Sequence, residues 1–311
     1  MQGDRDYRDR RVILAAIGAA LLLVGVVAAV YSPAEIYSFA FFSPGGRFHY
    51  EGFGLGSLMF AIIVWQIVAY AAIAFVLIPL GYGHLRLRRW ARPWMVSLLW
   101  CAWILGVPLL VVSVFLLSFK ELSAPAAWLV LAILGLSYLI GPGLLIRFYD
   151  SRDVRQTFAA RDGRTYRIET VPMPVLVLAA LFVFYVVAMQ VPLFFHGLFP
   201  LFGRWLSGAP GAVLLESSVI VLLVLTWGVW RRRAWAWWGA LAYFVLLTCS
   251  VAVTLLRSRF AEIVTGAQLP PAEVEMLQGV PLQGVHLVPF VGIPLLITLG
   301  VIIVSRRHFQ S

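Results

Sequence analysis

Eight long apolar stretches, at residues 11–30, 55–80, 94–117, 125–146, 175–195, 212–230, 234–256 and 285–304, cut this chain into segments whose arginine content runs high, low, high, low. Each stretch is close to the ~20 residues that carry a helix across a ~30 Å hydrocarbon core. Barrel strands would alternate polar and apolar residues, and stretches such as 219–225 show no polar face. Only 12% of the residues are charged, against about 25% in a soluble domain. With no water in the core, backbone groups must pair within each helix. The sequence therefore predicts an all-α, polytopic integral membrane protein of about eight transmembrane helices.

The alternation then predicts orientation. The N-terminal segment, the second, fourth and sixth loops and the C-terminus hold nineteen of the 24 basic residues; only Arg47, Lys120, Arg204, Arg257 and Arg259 fall on the other side. Acidic residues divide evenly, so the bias is a true Lys/Arg asymmetry. The positive-inside rule places the rich side, with both termini, in the cytoplasm, and the expected location is a bacterial cytoplasmic (inner) membrane. The net charge of +10 is then mostly topology plus attraction to anionic headgroups on the cytoplasmic side, about 1 kcal/mol per basic residue near the surface. No nucleic-acid motif accompanies it, and nucleic acid is not an expected partner. The basic N-terminus and first apolar stretch suggest a signal peptide, but the stretch exceeds the usual ~7–15-residue core of such signals and reads as helix one.

A shift of 145 residues superposes Gly83 on Gly228, Arg86 on Arg231, Arg88 on Arg233, Trp90 on Trp235 and Ala91 on Ala236. Each set stands in the tight turn after the second helix of its half. The expectation is a parallel duplication of a four-helix unit, 1–170 with its basic loop and 171–311, about an axis along the membrane normal. Arg86, Arg88, Trp90, Arg231, Arg233 and Trp235 are the expected lipid-contacting residues, with indoles at headgroup depth and guanidinium groups meeting phosphates or aromatic faces. On helix one, Ala15, Gly18, Gly25 and Ala29 form a small-residue stripe suited to close helix contact, within the chain or between subunits. The first outer loop, 31–54, is rich in Phe and Tyr, as an interface or partner surface would be. In the last outer loop, Pro270–Pro271 followed by Glu273 and Glu275 predicts a short helix closed by Gly279.

Polar groups inside the membrane are costly. Glu216 is the only acid within an apolar stretch, and with Gln190 and His196 near the same outer end it forms the candidate ion or proton site; Gln66 lies deeper, in helix two. The plainer account makes Glu216 a shallow acid reaching the interface or pairing with Arg257, and Gln66 an interhelical hydrogen-bonding residue. His49, His196 and His286 share the outer side, but none has ligand spacing with another on one helix; no metal site is expected and the cofactor is unknown. Cys101 and Cys249 read as small buried hydrophobes. No phosphate-binding, dinucleotide, zinc-protease or serine-hydrolase motif is present. The expected function is a non-enzymatic accessory or structural subunit of a larger bacterial membrane assembly, with other membrane subunits as partners. The alternative is a small-solute, ion or lipid transporter, drawing on Pro172, Pro174 and Pro192 around helix five and a break at Gly141–Pro142–Gly143 in helix four.

Overall fold

A computed structural model describes residues 7–118, 124–278 and 284–309; Lys120 and Gly279 lie outside them. About 80% of the chain is helical, and eight helical spans are long and apolar enough to cross a membrane. The first, Arg11–Phe42, comprises α1 (Arg11–Ala34) and α2 (Ile36–Phe42). Then come α3 (Leu58–Leu85) and α4 (Ala91–Ser118). The fourth span, Pro125–Asp150, contains α5 (Ala124–Gly135 overall), a π-helical turn (Leu136–Ile140) and α6 (Gly141–Asp150). The polar α7 (Arg152–Arg161) leads to α8 (Met173–Ala188), a 3₁₀ turn (Val191–Phe195) and a two-stranded hairpin, β1 (Phe199–Leu201) and β2 (Arg204–Leu206). The chain closes with α9 (Ala209–Trp230), α10 (Ala234–Arg257), the short α11 (Phe260–Ala267) and α12 (Pro271–Gln278), and α13 (Gly284–Ser305).

Small residues decide how α1 meets α3. Leu14, Gly18, Gly25 and Ala28 form the buried stripe of α1. A Cβ added to Gly18 would stand 2.8 Å from the His84 Cβ, and one on Gly25 would stand 3.0 Å from the Ile78 nitrogen. Gly81 answers from α3, with the Leu22 nitrogen 2.7 Å from its would-be Cβ. Backbone thus lies on backbone, and this stripe packs inside the chain. Where lipid tails are as apolar as leucine, such close van der Waals contact is what holds helices together.

The expected break at Gly141–Pro142–Gly143 is a π-turn instead. The helix widens over Leu136–Ile140 and resumes at Gly141 with Pro142 in its first turn, where a missing N–H costs least. Gly106 of α4 admits Tyr138 here, whose Cβ would lie 2.8 Å from a Cβ on the glycine.

Two cores result. One joins α1, α3, the arginine-side half of α4, α6 and α7 around Leu14, Tyr149 and Phe158. The other joins α8, α9, α10 and α13 around Phe182, Leu222 and Phe244, and takes in Cys101 and Ile104 from α4. Helix α4 therefore belongs to both. Cys101 is buried as expected, while Cys249 is exposed.

Candidate functional site

The four polar residues singled out in the membrane are placed apart. Glu216 is exposed on α9, in register with Ile220, Leu223 and Trp227 along the face turned from the bundle. Gln66 is half-buried on α3. Gln190 and His196 flank the 3₁₀ turn, and the His196 ring faces Gly56, whose would-be Cβ lies 3.0 Å from Nε2. Among the described residues no hydrogen bond or ion pair joins any two of the four, and none joins Glu216 to Arg257. The Arg257 side chain instead lies against the Gly203 turn of the hairpin. Nor, among the described residues, do three or more His, Cys, Asp or Glu side chains gather at one point.

The two arginine–tryptophan turns share their geometry. In the first, Leu87 N donates to His84 O (3.0 Å) and Arg88 N to Gly83 O (2.7 Å); in the second, Arg232 N donates to Val229 O (2.9 Å) and Arg233 N to Gly228 O (3.0 Å). This is the Schellman pattern of helix termination. The left-handed residue is not glycine in either turn: Leu87 has φ 50° and Arg232 φ 55°. The glycine sits a turn earlier for another reason. A Cβ on Gly83 would meet the Trp90 ring and Ala91 Cβ at 2.9 Å, and one on Gly228 would meet Trp235 at 2.6 Å. The pattern Gly-x-x-Arg-x-Arg-x-Trp-Ala thus folds an indole back over the helix it has just left.

Charge is used differently in the two turns. Arg88 lies 3.6 Å from Asp162, Arg89 pairs with Glu169 at 2.8 Å, and Arg92 pairs with Asp150 at 2.9 Å. Arg10 reaches Asp153 at 3.1 Å. These pairs tie the N-terminal segment, the second loop and the fourth loop into one arginine-rich surface. Asp162 is its centre: buried, it accepts from the backbone N–H of Arg89 and Arg164 and from the Tyr166 hydroxyl. Burial alone would raise its pKa, but the hydrogen bonds and Arg88 prevail and hold it below the ordinary carboxylate value. Arg86 and Arg231 stay exposed, with guanidinium groups 5.9 Å from the Tyr82 ring and 5.5 Å from the Trp227 ring. Among the described residues neither has an acid within ion-pair distance.

Three polar constructions escaped the sequence reading. His84 is fully buried: Nδ1–H donates to Leu80 O (2.8 Å), leaving Nε2 to accept from the Tyr149 hydroxyl (2.8 Å). The second is the hairpin. Its Phe202–Gly203 turn has φ 41° and 94°, suiting a type I′ connection. Helix α10 and its C-cap Ser258 present a hydroxyl every fourth residue to it. Phe202 N donates to Ser250 (3.0 Å), Gly203 N to Thr254 (2.9 Å) and the Trp205 indole to Ser258 (2.7 Å). Ser250 also donates to Pro200 O at 2.8 Å. The tip thus reaches about 10 Å below the end of α10, at 1.5 Å per residue. Irregular backbone at such depth persists only where protein satisfies its polar groups or it lines a water-filled cavity.

The third is Glu273. Expected in the first turn of α12, it is 4% exposed and reaches across to the other outer loop. Its carboxylate accepts from Leu58 N (2.6 Å), Met59 N (3.1 Å) and the Tyr50 hydroxyl (2.5 Å). Ser57 takes Phe60 N, and Gly54 O takes Ser57 N. All the amides left open at the start of α3 are thereby paired, with negative charge at the positive end of the helix dipole. Burial, then the carboxylate it donates to, pushes the Tyr50 phenol up to about 12. Above this clasp stands an aromatic platform: Phe42 stacks on Phe53 (5.5 Å), Phe39 packs on Phe60 (5.2 Å), and Phe48 lies beside Phe42 (5.9 Å). Phe41 and Phe48 of the platform, and Tyr37 and Leu55 of the same stretch of chain, are all more than half exposed. The short spacing of Glu273 from Pro271 looked like ordinary helix capping, which hid its longer reach.

Comparison with protein-family models, with characterised proteins and with solved structures finds no match to this chain.

Proposed function

We propose that this chain is a non-enzymatic accessory or structural subunit of a larger protein assembly in a bacterial inner membrane. In this reading both termini and the arginine-rich surface face the cytoplasm, and two related four-helix units, 1–170 and 171–311, make up the bundle. The matching hydrogen bonds of the two arginine–tryptophan turns support the relation between the units. The observation that carries the functional reading is the aromatic platform of α2 and the first outer loop. It is apolar and exposed, yet held in place by a buried carboxylate from the far end of the chain. A contiguous exposed apolar surface marks an interface, and preorganising it lowers the cost of binding.

Release from the native membrane in mild detergent, followed by native mass spectrometry, tests this. Additional subunits at fixed stoichiometry are expected, and should be lost on Phe41→Ser/Phe48→Ser substitution. A chain that emerges alone would overturn the reading.

One observation favours the transport alternative: the hairpin places non-helical backbone at membrane depth, as transporters do beside their sites. On that alternative the hairpin and Thr254, rather than the lipid-facing Glu216, are the groups to vary. Solute or ion flux in reconstituted vesicles that falls with Thr254→Val but not with Glu216→Gln would favour it.

A further inference from the structure

On the outside of the bundle, below the first arginine–tryptophan turn, α3 and α4 part to leave a groove of about 270 Å³. Phe75, Val76 and Pro79 form one wall, Trp94 and Leu98 the other, and Trp90 closes the end toward the turn. The groove is apolar throughout, and Phe75 at its far end is 82% exposed. On the α4 side its lining runs from Trp90 to Leu98, about 12 Å at 1.5 Å per residue, against about 15 Å for half the hydrocarbon core.

Beyond the groove's turn end, α3 carries a cation. Phe75, Pro79, Tyr82 and Arg86 recur at steps of four, three and four, so they share one stripe of α3. Arg86 stands at the head of that stripe, with its guanidinium folded over the Tyr82 ring toward the membrane. Its neighbours Arg88, Arg89 and Arg92 are drawn to Asp162, Glu169 and Asp150. Arg86 is the member of the turn left facing the headgroup layer.

The second turn supplies an internal comparison. The 145-residue shift sets Arg231 on Arg86, but Val224 on Pro79 and Gly239 on Trp94. A Cβ on Gly239 would stand 2.9 Å from Leu225 of the adjacent helix, so α9 and α10 close together where α3 and α4 stand apart. The bulk of Trp94 and the ring of Pro79 are what open the groove in the first half.

We propose that this groove is a binding site for one anionic phospholipid of the arginine-rich leaflet. An acyl chain lies along Phe75, Pro79 and Leu98 between the two indoles, and the phosphate rests on Arg86. An apolar groove whose α3 wall shares a stripe with Arg86, a cation that has no acid within ion-pair distance among the described residues, fits an amphiphile with an anionic head. Basic sites between transmembrane helices on the cytoplasmic side are suited to such headgroups.

The test is native mass spectrometry of the full chain from nanodiscs holding equal phosphatidylglycerol and phosphatidylcholine. The wild type is expected to retain one phosphatidylglycerol in preference to phosphatidylcholine. Arg86→Gln should cut that preference about fivefold, the effect of one basic residue near the surface. Leu98→Trp should fill the groove and lose the retained lipid of either kind, while Arg152→Gln, at an exposed arginine of α7, should leave retention unchanged. Equal retention of the two lipids by the wild type would overturn the proposal, as would an unchanged preference in Arg86→Gln. An equal loss in Arg152→Gln would overturn it too, since general surface charge rather than this groove would then be at work. So would a co-purifying polypeptide that displaces the lipid.

Discussion

Glu273 closes three hydrogen bonds at once, and its removal leaves three donors without a partner. Each buried, unsatisfied group costs about 1–3 kcal/mol. Glu273→Ala is therefore expected to destabilise the fold by about 3 kcal/mol, seen as a lowered midpoint in thermal unfolding in detergent. Tyr50→Phe in the same background should cost less than it does alone, because the two side chains act as one unit; strictly additive losses would separate them. Asp162 gives a pH signature of its own. Its folded pKa lies below the ordinary value of about 3.9, so the unfolded state takes up protons first as pH falls. Its contribution is full above that ordinary value and drains away as pH drops through the lowered one. Asp162→Asn should flatten the acid limb of a stability–pH profile and leave less stability near neutrality. An acid limb unchanged in this variant would place the titrating group elsewhere. Asp162 did not stand out in the sequence and Glu273 did so only as an acid at a helix start, whereas Glu216 stood out as a site residue. An acid inside an apolar run is conspicuous by contrast, but its face of the helix is set by how α8 and α10 pack on α9. An acid in a polar loop gives no hint that it will be buried.

At the scale of elements, the spans were legible because hydropathy has only one solution in a bilayer. The arginine turns were legible because each conspicuous residue has a separate steric or hydrogen-bonding role. The hairpin was not, since residues 198–206 are nearly as apolar as the helices around them. The readable signal lay elsewhere, in Ser250, Thr254 and Ser258 at four-residue steps along α10 and its C-cap, three hydroxyls in line at one end of an apolar helix. Each accepts from the hairpin region and donates to a carbonyl in turn. Thr254→Val keeps the shape but strands the Gly203 amide, with an expected loss of about 1–3 kcal/mol. Thr254→Ser should restore most of it. Hydrogen exchange at the Gly203 amide checks both: fast in the valine variant, slow in the serine one. Equal protection in all three would mean the hydroxyl is not what holds the tip.

For the whole molecule, the decisive helix is α4. A boundary at residue 170 follows the loop pattern of the sequence, but Cys101 and Ile104 pack with the second half and Met95, Val96 and Leu99 with the first. Tertiary sharing of this kind leaves no periodic trace, because α4 is apolar on all sides. Fragments 1–170 and 171–311 made together are expected to co-purify through a tag on either one, and fragment 1–170 alone to unfold at a lower temperature than the pair. Equal thermal midpoints for the lone fragment and the pair would make the halves independent.

The clasp at Glu273 has a bearing on how the protein is made. It joins residues 215 positions apart, so the start of α3 enters the bilayer with its first amides unpaired and waits for the last outer loop. At about 5–20 residues per second of synthesis that wait is roughly 10–40 s. During it the aromatic platform has no anchor, and under the assembly reading proposed above a partner that needs its fixed shape would have nothing to recognise until residue 273 has been made. The same carboxylate that holds the finished fold thus also times its completion.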